Sequence, residues 1–165
     1  MSYVDRFTAT DDLIRHLNTI VPQIDDEELK SKYAGFLSAS AVTVYELAIK
    51  DIFITFAKKK NSAFGSFVEE RFNQINGRIR IKDIKDYVRA FGEKYFIRFN
   101  KYLDERNRIL FTINRNDIKA VYGNIITCRH SYIHENIPTM TFKEVVEGYE
   151  LGKEIINVLN KTMQR

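Results

Sequence analysis

Thr127-Cys128-Arg129-His130-Ser131-Tyr132-Ile133-His134-Glu135-Asn136 holds the residues of this chain best suited to chemistry. Two of the three histidines, the one cysteine and an arginine fall within these ten positions. Imidazole titrates near neutral pH and can give or take a proton during a turnover. Guanidinium keeps its charge, and its planar fork matches the oxygens of a phosphate. Together they suffice to cleave RNA without a metal. A ribose 2′-hydroxyl attacks the neighbouring phosphate, a histidine handles a proton, and the arginine offsets the developing charge. Arg129 and His134 are the pair for that chemistry, with His130 or Ser131 orienting the scissile group. The plainer reading is that basic side chains gather near a helix C-terminus in answer to its dipole.

Geometry sets a condition on the pair. On an ideal helix, residues five apart point about 140° from each other. Arg129 and His134 share one site only if the helix kinks or ends between them, or if a second subunit completes it. Asn136 and Pro138 just downstream favour an ending.

Other chemistries fit less well. His130 and His134 have a spacing that can chelate a metal, with Cys128 and Glu135 close by. A zinc motif of the HExxH kind needs glutamate after the first histidine, and Ser131 stands there. No second cluster of Cys or His completes a coordination shell, so no metal is expected. Cys128 reads as a small core residue rather than a nucleophile. Glycine patterns for nucleotide phosphates are missing, and no cofactor is expected.

The rest of the chain must position these residues. At 165 residues, 44% hydrophobic and 29% charged, it is long enough for one domain over 1–165 with a real core. Seven glycines and two prolines favour helices over many tight turns. Thr10 caps a first helix with Leu13, Ile14, Leu17 and Ile20 inward, ended by Pro22. Asp25 opens the longest helix, apolar at helical spacing from Leu29 to Phe56 and reaching about Lys58. Its small residues Ala34, Gly35 and Ser38 to Ala41 let another helix approach closely. Ser62 caps the next helix, broken at Asn76-Gly77. From Asp83 the pattern Ile84, Tyr87, Val88, Phe91 gives another, ended or kinked at Gly92 before Tyr95 to Leu103 resume the period.

Asp104 to Arg108 and Asn114 to Asn116 read as charged loops, and Ile109 to Ile113 between them as a short strand or an extension. Asn116 or Asn114 caps the helix that carries Arg129. Thr141 and Glu144 form a capping box, with Met140 and Val145 as a staple, for a closing helix to about Asn160. The pattern predicts an all-α protein, an up-and-down helical bundle with an irregular basic middle insertion.

The net charge of +4 suits a polyanion without requiring one. Arg78, Arg80 and Lys82, then Arg106, Arg108 and Arg115 with aromatics interleaved, are candidate RNA-binding residues, since cations follow a phosphate backbone while aromatics stack on unpaired bases. The plainer reading is a solvated face over core aromatics. A single cysteine, no bilayer-length apolar run and no signal pattern at the N-terminus lead us to expect a cytoplasmic protein with no membrane partner.

The run R-H-S-Y-I-H resembles the signature of the HEPN superfamily: an arginine, a polar residue, three variable residues and a histidine. The placement is similar too, near the end of a late helix followed by one more amphipathic helix. The long helix with Tyr45-Glu46-Leu47 is similar to the early helix of these domains. The resemblance implies a metal-independent endoribonuclease, a toxin or antiviral-defence effector, acting on RNA as a homodimer whose motifs meet across the interface. An antitoxin or regulatory protein would be its other partner. Arg129 and His134 would be catalytic and His130 the polar accessory. Glu46 is a further candidate, as an acid that orients the site, beside the plainer reading of a glutamate solvated within the bundle. HEPN toxins neutralised by AMP attachment carry a tyrosine two residues after the histidine. Asn136 stands there, so that form of control is not expected. The alternative is a non-catalytic HEPN-like module binding RNA, a nucleotide or a partner protein.

Overall fold

A computed structural model describes residues 2–164, and helices make up nearly all of them. After a 3-10 turn at Tyr3–Phe7 come α1 (Thr8–Ile20), α2 (Glu27–Lys60), α3 (Ser62–Asn73), α4 (Ile81–Ala90), α5 (Glu93–Asn114), α6 (Ile118–Glu135) and α7 (Phe142–Met163). No strand occurs among the described residues, and the protein is all-α. Among them no helix is long and apolar enough to cross a membrane.

Helix α2 is the spine. It packs against α1, α3, α6, α7 and the N-terminal turn, while α7 also meets α5 and α6. Asp26 caps it, one residue later than expected, accepting from the N–H groups of Glu28 and Leu29. Lys58, Lys59 and Lys60 fill its last turn, where the helix dipole favours cations. Asn61 rather than Ser62 starts α3. Its extended backbone lets the side chain accept from Ala63 and Phe64 while its own N–H closes α2 on the Ala57 carbonyl. One asparagine thus serves both helix ends.

The middle of the chain is irregular from 74 to 80 and helical on either side. Gly92 separates α4 from α5 at φ 136°, a conformation that side chains rarely adopt. Asp104 to Arg108 is not a loop, and Ile109 to Ile113 is an extension rather than a strand, because α5 runs unbroken to Asn114. Three of its polar side chains are tied to neighbours. Arg106 pairs with Glu154 of α7, Asp104 with Lys119 of α6, and the Asn107 side chain accepts from the Ile118 N–H. Asp117, not Asn114 or Asn116, caps α6.

Two aromatic groups hold the bundle. Tyr45, Tyr122 and Tyr149 are buried together, with ring centroids 5.4 Å and 5.8 Å from Tyr45. Each buried hydroxyl needs a partner. Tyr45 donates to the Tyr149 carbonyl, Tyr122 to the Ile79 carbonyl and Tyr149 to Asp11. Burial pushes all three phenols well above their usual range. The second group stacks Phe53 with Phe72 and Phe91, joining α2 to α3 and the end of α4.

Candidate functional site

Helix α6 positions the motif. It continues through Glu135 and stops at Asn136, which takes the left-handed conformation at φ 57°. Asparagine tolerates that region better than most residues, and it is a common helix stop. Its N–H donates to the Tyr132 carbonyl at 3.0 Å. From α2, Lys32 reaches across, and its Nζ donates to the Asn136 carbonyl at 3.0 Å. One turn further along α2, Gly35 lies against the ring of Tyr132. The end of the motif helix is therefore fastened at two points.

No break separates Arg129 from His134. At about 100° per residue, Arg129 continues the stripe of Ile118, Tyr122 and Ile125, all buried, while His134 points to the opposite side. Exposure follows that geometry: Arg129 is half-buried, and His130 and His134 are exposed. The two imidazoles lie side by side on successive turns, ring centroids 4.4 Å apart and tilted by 49°. Of the two conditions for a shared site, a helix break is not met within one chain.

Arg129 differs from the other half-buried arginines among the described residues. Arg6 forks onto Asp51, Arg106 pairs with Glu154, and Arg98 donates to the Thr162 carbonyl. Arg129 makes no hydrogen bond or ion pair with a described residue, and no buried polar atom there is left unsatisfied. Its guanidinium is thus open to incoming oxygens. A cation partly withdrawn from water and unpaired is a strong hydrogen-bond donor to an anionic ligand.

The other candidates lie elsewhere. Glu46 stands three turns from Gly35, about 16 Å along α2. Its carboxylate accepts from Lys50 at 2.7 Å and from the Gly77 N–H at 2.7 Å, so it braces the segment after α3. Arg78, Arg80 and Lys82 are exposed around that segment, beside the second turn of α6, where Tyr122 bonds Ile79. Arg108 and Arg115 are exposed near the start of α6, the end away from the motif, and Arg106 is committed to Glu154. Cys128 is fully buried, as a core residue is. His130 and His134 form no group of three metal-ligating side chains with Cys128, Glu135 or any other described residue.

Sequence reasoning missed Lys32. A lysine in the second turn of a helix with a charged start gives no sign of the carbonyl it will reach. Gly35 was visible as one of a group of small residues, but its partner Tyr132 was not.

No curated protein and no solved structure matches the chain. A family model does. The one described as RiboL-PSP-HEPN matches residues 4–165, nearly the whole length, so the chain is a member of the RiboL-PSP-HEPN family within the HEPN superfamily.

Proposed function

We propose that the protein is a metal-independent endoribonuclease of the toxin or antiviral-defence kind, acting as a homodimer. The observation that carries this reading is the uncommitted, half-buried guanidinium of Arg129 on the helix that also exposes His134. Because the two side chains leave α6 on opposite sides, Arg129 of one copy would meet His134 of the other across a two-fold axis. His134 would take the proton of the ribose 2′-hydroxyl as that oxygen attacks phosphorus, or return a proton to the departing 5′-oxygen. Arg129 would hold the non-bridging oxygens as charge builds on them. His130, beside His134, would orient it or contact the phosphate. The products would be a cyclic 2′,3′-phosphate and a free 5′-hydroxyl.

The test is incubation of the purified protein with single-stranded and structured RNA in EDTA, beside His134→Ala and Arg129→Ala. Loss of a positioned acid or base removes about 10²–10⁴-fold in rate. Both variants should lose cleavage on that scale, and the ends should carry cyclic phosphate. Equal degradation by all three proteins would reduce the domain to a non-catalytic HEPN module.

A further inference from the structure

We propose that the groove between α6 and α7 is a nucleobase subsite, taking unpaired bases of the RNA strand beside the bond that is cut. This deepens the ribonuclease reading and rests on it.

The groove has a volume of about 600 Å³. Val121 and Leu151 give it apolar surface, while Asn116, Asn124 and Thr127 on the α6 side and Glu147 on the α7 side supply polar groups. Asn124 and Thr127 are exposed, and their side chains make no hydrogen bond with another described residue. No lysine or arginine lines the groove. A phosphate would find no counter-charge in it, and the carboxylate of Glu147, which among the described residues pairs only with the exposed Lys143 outside the groove at 3.8 Å, would repel one. A nucleobase suits it better, being uncharged, apolar on its faces and rich in donors and acceptors at its edge. Amide and hydroxyl both donate and accept, but a carboxylate only accepts. The set therefore favours a base with an exocyclic amine over uracil.

Position ties the groove to the motif. At about 100° per residue, Asn124, Thr127, Ser131 and His134 fall within one sector of about 80° on α6. The wall of the groove thus leads to the face of His134 and away from that of Arg129. Thr127 and His134 are about 10 Å apart along the helix. At the other mouth, Asn116 adjoins exposed Arg115, which ends α5 in the left-handed conformation. Cation, polar groove and histidine follow one another along α6. A strand laid along this line would meet a phosphate contact, a base contact and the cutting group in turn.

The test uses His134→Ala protein, so that RNA is bound but not cut, and short single-stranded oligo(A), oligo(C) and oligo(U). Oligo(A) or oligo(C) should bind more tightly than oligo(U). Adding Asn124→Ala or Glu147→Gln should reduce that preference by about tenfold, the scale of one hydrogen bond to a base edge. The loss should be smaller for oligo(U), and the thermal midpoint should stay unchanged. With His134 restored, the bases flanking the cut should become more uniform in the groove variants. No base preference, or a preference that both variants keep, overturns the subsite. Base-selective binding that depends on the groove, without cleavage by the wild type, would sink the ribonuclease reading and leave the subsite standing.

Discussion

Gly35 and Tyr132 touch so closely that a methyl group on Gly35 would overlap the tyrosine ring. The contact joins the first turns of α2 to the last turns of α6, where the motif lies. Gly35→Ala must therefore displace the ring. Alanine is the better helix former by about 1 kcal/mol, but overpacking of this kind costs about 1–3 kcal/mol. We expect a net loss of stability in urea unfolding, and a fall in RNA cleavage even at temperatures where the variant is folded. An unchanged unfolding midpoint would mean that Tyr132 has room to turn aside.

Lys32 offers a milder perturbation of the same junction. Lys32→Met keeps most of the aliphatic stem but removes the donor to the Asn136 carbonyl. The turn after His134 should loosen while the bundle stays folded. On a good RNA substrate, kcat should fall by about tenfold, the scale of one charge-assisted hydrogen bond, with KM nearly unchanged. Lys32→Arg should restore most of the rate. Wild-type rates in Lys32→Met would show that the left-handed turn holds without help.

Ile133 lies between Arg129 and His134 around α6 and is 52% exposed, with Ile137 nearby at 62%. In the proposed dimer this apolar surface is covered. Ile133→Asp should yield a monomer by sedimentation, with helical content intact and cleavage lost. A dimer that still cuts RNA would move the interface elsewhere.

At the start of α7, Thr141 and Glu144 cap each other. The Thr141 N–H and hydroxyl both donate to the Glu144 carboxylate, which holds it below its ordinary value of 4.5. The native state binds this proton less readily than the unfolded chain. The stabilisation is therefore complete above pH 4.5 and fades as the pH falls through the lowered value. Thr141→Ala should cost about 1 kcal/mol at neutral pH. The difference from wild type should shrink in acid, as read by thermal unfolding across that range.

Much of the architecture was legible from period and caps. The spine, the closing helix and its capping box follow from apolar spacing and from short polar residues at helix starts. The second half of α5 was not, because Ile109, Phe111 and Ile113 are exposed there, and a helix that leaves its apolar residues in water shows no one-sided stripe. Its ion-pair partners Glu154 and Lys119 lie on other helices. The motif itself was visible as residue types at a spacing. What surrounds it was not: the Lys32 bond, the ring on Gly35 and the bracing of Gly77 by Glu46 are all tertiary contacts. Local pattern carries no record of these.

Helix α2 meets the motif through Gly35 and the tyrosine cluster through Tyr45, with no interruption between them. It therefore works as a phase-keeper as well as a strut. One residue inserted between those positions would rotate one end against the other by about 100°, leaving either Tyr132 or Tyr149 without its seat. Loops in such a domain are free to lengthen over time, but the count of residues in this part of α2 is not.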